Sequence, residues 1–235
     1  MEFIRTRFLP FLMILFFVFI LFFIYMLHMK VDWRLKNYEI HGLDISHYQK
    51  DIDFKKLKKS KYVDFVFVKA IEGFSVKDKK FHQNWAGLKA NNITRGAYHF
   101  YRPSAKAKTQ ALAFIRRVKL SKGDLPPVLD LEETDNRSKD IILKGVKIWL
   151  ETVERHYGVK PIIYVNQDFY YNYIEGNLEE YPIWIAAYRW SKPDVREGDW
   201  QFWQYTDKGK IKGISGYVDR NVFVGNLADF KVLQL

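Results

Sequence analysis

The chain has 235 residues, 48% of them hydrophobic, a formal net charge of +11 and no cysteine. Without cysteine there is no disulfide frame, no thiolate zinc site and no cysteine nucleophile. The basic excess suits an anionic partner, but the lysines are spread along the chain and no helix-turn-helix, zinc-finger or aromatic RNA-binding motif is legible, so no nucleic-acid partner is expected.

In chain order, the first feature is "FLPFLMILFFVFILFFIYML", Phe8 to Leu27, twenty residues without a charge. As a helix at ~1.5 Å per residue it matches the ~30 Å hydrocarbon core, which predicts one transmembrane helix. The run is longer than the apolar region of a cleaved signal peptide and is followed by "HMKVDW" rather than a small-residue cleavage site, so an uncleaved anchor is expected over secretion after signal cleavage. Arg5 and Arg7 before the span are nearly balanced by Lys30, Arg34 and Lys36 after it, so orientation rests on function. The expected organisation is a cytoplasmic tip and anchor over 1–30, a linker over 31–38 and one catalytic domain over 39–235, anchored in a lipid bilayer by a single pass with the domain extracytoplasmic.

Beyond the linker, strand-like runs alternate with helix-like ones: "YEIHGLDIS" then "DFKKLKKSK", "VDFVFVKA" then "KFHQNWAGLKANN", "RGAYHFY" then "SAKAKTQALAFIRRVK", and "PPVLDLE" then "SKDIILKGVKIWLETVERHYG". Such alternation indicates βαβ units around a parallel sheet. "KPIIYVN", "YPIWIAAY", "WQFWQYT" and "VDRNVF" follow with little helix between the last three. Eight strands in this order predict an α/β fold, a TIM-like (β/α) barrel that is incomplete, with its last helices reduced.

The acids track the predicted strand ends. Asp44 closes the first strand, Glu72 follows the second, Asp130 and Glu132 end the fourth, and Asp219 opens the eighth. A strand ending in acid is most simply a strand entering solvent. In a barrel, however, the C-terminal strand ends meet at one mouth, where barrel enzymes carry their chemistry. Asp130 and Glu132 project to one face of their strand, and like charges so placed oppose each other's ionisation, which keeps a proton available near neutral pH.

These stretches resemble the lysozymes of glycoside hydrolase family 25, the Chalaropsis-type muramidases. The resemblance runs from about His41 to Asn226 through "HGLDISHYQKDIDF", "FVFVKAIEG", "RGAYHFYRP", "PPVLDLEE", "PIIYVN", "PIWIAAY" and "WQFWQYTDKGKIKGISGYVDRNVF", seven segments in family order. Lys50 and Phe54 depart from residues common there, and neither is a carboxylate. The resemblance implies cleavage of the β-1,4 bond between N-acetylmuramic acid and N-acetylglucosamine in peptidoglycan, with Asp44, Asp130, Glu132 and Asp219 as the acids of the site.

Glycoside hydrolysis needs one carboxyl to protonate the leaving oxygen and a second group to meet the oxocarbenium-like centre. Glu132 is the expected acid. Asp130, on the same strand, suits orientation of the substrate's 2-acetamido group as nucleophile, while Asp44 or Asp219 remain open as base or stabiliser. Tyr98, Tyr164, Trp184, Tyr188, Trp203 and Gln204 resemble groove lining, with Glu72 beside them in a supporting role. His99 in "AYHFY" reads as a barrel-interior residue rather than a metal ligand; no metal or cofactor is expected, and no oligomer is required. Two other readings stand beside this one: a metal-dependent glycan deacetylase or amidase, which needs a pair of ligating histidines, and a non-catalytic, membrane-tethered wall-binding protein.

Overall fold

The computed structural model describes residues 13–23, 35–188, 191–196 and 198–235. Residues 1–36 and 37–235 form separate compact units. In the first, residues 13–23 are helical with exposed side chains apart from the half-buried Ile20. At ~1.5 Å per residue this helix covers about half of a ~30 Å bilayer core, and among the described residues no helix is long and apolar enough to cross a membrane. The remainder of the predicted span, 8–12 and 24–27, lies outside the described residues.

The second unit contains β1 (Ile40–Ile45), α1 (Phe54–Lys58), β2 (Phe65–Glu72), β3 (Val76–Lys77), α2 (Phe81–Ala90), β4 (Thr94–Phe100), α3 (Ala107–Arg117), β5 (Val128–Asp130), α4 (Lys139–Tyr157), β6 (Ile162–Asn166), β7 (Ile183–Ala186), β8 (Phe202–Gly209), β9 (Val218–Phe223) and α5 (Leu227–Val232). All eight expected strands form, and β3 is an added edge hairpin on β2. Pairing runs β1-β9-β8-β7-β6-β5-β4-β2, and β1 also pairs with β2, which closes the barrel. Every junction of the ring is parallel except those of β9, which runs antiparallel to both β8 and β1. That reversal explains why Asp219 sits at the start of its strand while the other acids sit at strand ends: all open on the same mouth.

Alternation along the strands decides what fills the barrel. Ile40, Phe65, Phe67, Val128, Ile162, Trp184, Phe202 and Phe223 point inward and form one core with Phe230 of α5. The rings are large, so neighbouring inward positions are small: a Cβ on Gly42 would lie 2.3 Å from the Phe65 ring, and one on Gly96 2.4 Å from that of Phe67. Outside, α4 buries Ile142, Val146, Trp149, Leu150 and Val153 at helical spacing and stops at Gly158, whose φ of 73° suits a residue without a side chain.

His99 belongs to this outer layer, a correction to the barrel-interior expectation. On β4 it faces away from the barrel, stacks on Phe114 of α3, and its Nδ1 accepts from Trp149 Nε1 at 2.8 Å. Burial lowers its pKa to about 3, so it is neutral.

Candidate active site

A cavity of about 260 Å³ opens at the mouth, lined among others by Asp44, Lys69, Tyr98, Asp130, Glu132, Tyr164, Trp184, Tyr188, Gln204 and Asp219. Its acids arrive on three strands. Asp44 and Asp219 are register partners across β1 and β9. Asp130 ends β5, and although that strand is short, its continuation stays in the ladder: Tyr101 N–H donates to Asp130 O at 2.9 Å and Leu131 N–H to Tyr164 O at 2.9 Å. Glu132 therefore projects from a backbone held on both sides. Its loop is fixed further along, where Asp135 accepts from Ser104 Oγ at 2.7 Å and pairs with Arg102 at 2.5 Å.

Beneath the mouth the carboxylates are clamped. Asp44 Oδ2 accepts from Gln204 Nε2 and from Asn221 Nδ2, both at 2.8 Å. Gln204 Oε1 in turn accepts from Tyr164 Oη at 2.8 Å and Tyr188 Oη at 2.5 Å, and Asn221 Oδ1 accepts from Trp184 Nε1 at 2.9 Å. Asp219 is hydrogen-bonded to Asp44. Burial and the neighbouring Asp44 raise the Asp219 carboxyl to about 9, so the pair shares one proton. Burial raises Asp44 as well, but two amide N–H bonds oppose that rise, so of the two Asp219 is the better holder of the proton.

Burial, followed by repulsion from Glu132, pushes Asp130 well above the usual carboxylate range. Its Oδ1 is buried without a hydrogen-bond partner. Glu132 is raised chiefly by burial, opposed by a hydrogen bond from Tyr164 and by Lys69, with Asp44 and Glu133 adding repulsion. This arrangement provides carboxyls whose hold on a proton is strengthened, an uncommitted acceptor oxygen and an amide-clamped carboxyl around one cavity, as acid-assisted cleavage of a glycosidic bond requires.

Lys69, the cation of this cavity among the described residues, escaped the sequence reading. Lys69 Nζ donates to Glu72 Oε2 at 3.0 Å and lies 4.6 Å from the Phe100 ring centre. In a regular strand, residues three apart face opposite sides. A register shift between Lys69 and Ile71 turns Glu72 back to the side of Lys69, and the bulge carbonyl, Ala70 O, accepts from Arg117 Nε at 2.7 Å. Glu72 thus holds Lys69 and approaches Arg102 at 4.0 Å; it does not line the cavity.

Tyr98, Tyr164, Trp184, Tyr188 and Gln204 stand at the mouth. Trp203 does not: between the inward Phe202 and Gln204 it faces out of the barrel, fully buried, with Nε1 donating to Ala187 O at 2.9 Å and its ring against Trp200 and Tyr205. Asn221 was missed as well; its signal was its place two residues after Asp219, on the same face. Among the described residues no group of three or more His, Asp or Glu is placed to hold a metal ion.

The chain matches the family model described as Glycosyl hydrolases family 25 over residues 43–214. It is 41% identical over 199 residues to the uncharacterized protein YegX of Escherichia coli (strain K12), covering 83% of this chain and 73% of that protein. It is 32% identical over 204 residues to Lysozyme M1 of Streptomyces globisporus, covering 80% and 69% respectively. Among solved structures, a family 25 glycosyl hydrolase from Bacillus anthracis superposes with a TM-score of 0.78 at 38% identity, over 85% of this chain and 95% of that one. The bacterial lysozyme from Streptomyces coelicolor gives a TM-score of 0.78 at 29% identity, over 85% and 98%. With its barrel, its mouth of acids and a family match across most of its length, this chain belongs to glycosyl hydrolase family 25.

Proposed function

We propose that the protein is a muramidase, a peptidoglycan hydrolase that cleaves the β-1,4 bond between N-acetylmuramic acid and N-acetylglucosamine. The observation that carries this reading is the placement of Glu132 and Asp130 at the end of β5, opposite the Asp44–Asp219 pair, in one cavity. Glu132 is the general acid. Asp130 Oδ1, an acceptor without a partner, suits the N–H of the substrate's 2-acetamido group, whose carbonyl then attacks the anomeric carbon. Asp44 Oδ2 already takes two N–H donors, which leaves it poorly suited to activating water and better suited to stabilising positive charge. Release of soluble reducing ends from purified peptidoglycan, unaffected by a chelator and lost in Glu132→Gln, is the test; chelator-sensitive acetate or peptide release instead points to the deacetylase or amidase chemistry.

The apolar run Phe8–Leu27 acts, in this proposal, as a single-pass membrane anchor that keeps residues 39–235 on the extracytoplasmic side. Its support is composition: twenty consecutive residues without a charge.

A further inference from the structure

We propose that Tyr48 is a stacking platform on the rim of the mouth, binding a further sugar of the glycan strand beyond the pair at the scissile bond, with His47 as the positioning residue behind its ring. The inference rests on reading the protein as a muramidase and adds to that reading a preference for long strands.

The chain leaves β1 through Ser46 and a single turn, His47–Gln49. Ser46 Oγ accepts from Tyr48 N at 3.2 Å and Gln49 Oε1 accepts from Ser46 N at 2.8 Å, a reciprocal cap that holds the turn from both ends. Gln49 also ties the turn to the segment entering β9, where its Nε2 donates to Tyr217 O at 3.2 Å. Ser46, Tyr48 and Gln49 all line the cavity that holds the acids. Ser46 and Gln49 are buried, whereas Tyr48 is 75% exposed.

An exposed ring by itself calls for no explanation. What lies behind this one does. One face of Tyr48 rests on the His47 ring, the centroids 4.2 Å apart and the planes 32° from parallel. The His47 ring is itself fixed, because Asp78 Oδ2 accepts from His47 N at 2.9 Å and stands 2.7 Å from its Nδ1. The Asp78 side chain is fully buried. Its Oδ1 accepts from Lys80 N at 2.9 Å, and Asp78 O accepts from Arg117 Nη2 of α3 at 2.7 Å. Burying a carboxylate is costly unless its oxygens are satisfied, and this satisfied one holds the ring that backs Tyr48. With one face of Tyr48 covered by His47, the other is open at the rim. A sugar ring carries C–H groups on its faces, and their partial positive charge meets the negative face of an aromatic ring; the carboxylates and amides of a stem peptide call instead for donors and acceptors. A ring held in place before binding loses little freedom on contact, so the contact appears as affinity. Asp44 is buried and Tyr48, four residues further on, is exposed, so a sugar on Tyr48 lies outside the place where the bond breaks.

The test compares kcat/KM on long soluble glycan strands with kcat/KM on the shortest fragment the protein cleaves. In the parent the ratio favours the long strand. Tyr48→Ala lowers that ratio by roughly 2- to 10-fold, the worth of one ring contact, and Tyr48→Phe keeps it, because the ring rather than the hydroxyl makes the contact. His47→Ala lowers the ratio less and adds nothing to Tyr48→Ala, a non-additivity that a general loss of structure does not produce. In Glu132→Gln protein, calorimetry with long strands freed of stem peptides shows binding weakened by the same factor when Tyr48→Ala is added. An unchanged ratio in Tyr48→Ala, an equal loss on short and long strands, or an equal loss in Tyr48→Phe overturns the proposal. Unchanged binding of the peptide-free strands overturns it too, since the ring then serves the stem peptides. A parent that releases no reducing ends from peptidoglycan is a different failure: it removes the muramidase reading, and the calorimetric comparison still decides whether Tyr48 holds sugar.

Discussion

At the scale of single residues, the proposed reaction assigns proton donation to Glu132 and orientation of the acetamido group to Asp130, whose Oδ1 is without a partner. Glu132→Gln keeps the shape and removes the proton, and general-acid assistance contributes ~10²–10⁴-fold; activity on purified peptidoglycan falls by that order while far-UV circular dichroism is unchanged. A variant within a few-fold of the parent refutes the assignment. Asp130→Asn keeps substrate affinity and lowers turnover if the acetamido group is the nucleophile, and the first-formed sugar seen by NMR is then the β anomer. Immediate appearance of the α anomer means inversion and returns Asp44 or Asp219 to the role of base.

At the scale of elements, one departure from simple alternation shapes the mouth. The bulge in β2 brings Glu72 to the side of Lys69, and an unbroken strand would send it into the helix layer. From Phe202 to Gln204 on β8 the alternation is intact and puts Trp203 outside. Trp203→Phe is accordingly expected to lower the denaturant midpoint while leaving KM for soluble fragments unchanged; a several-fold rise in KM contradicts that placement. Helix α5, which carries no catalytic group, inserts Phe230 between Phe65 and Phe223 at the end of the core. Phe230→Ala should cost about 3–5 kcal/mol, the usual loss for deleting a buried ring, read as a shift in urea unfolding.

At the scale of the molecule, the buried acids tie stability to pH. Asp219 has a folded-state value of about 9 against an ordinary 3.8, so between these limits the folded chain binds protons that the unfolded chain has released. Stability on this account is greatest at the acid end and falls as pH rises through the window. The urea midpoint of a chain beginning at Val31 is expected to be higher at about pH 5 than at about pH 9, with the slope reduced in Asp219→Asn; an unchanged slope refutes the shared-proton pair. The full-length protein, in turn, is expected in the membrane fraction after high-salt and carbonate washes, and recovery of the mature chain from the medium with its N-terminus near residue 30 would mean that the apolar run is a cleaved signal.

The sequence alone determined the eight strands, the barrel they close and the four acids, because period-two alternation and strand-ending carboxylates are local signals that survive without knowledge of neighbours. It also carried the family. What only the tertiary structure decided was direction and register. The antiparallel course of β9 explains how Asp219, at a strand start, faces Asp44 at a strand end. The bulge at Ala70 put Lys69 and Glu72 together, and the inward turn of Asn221 and Gln204 made a clamp for Asp44. Each depends on which residue of a distant strand stands opposite, a relation set by cross-strand pairing rather than by the order of residues in one strand.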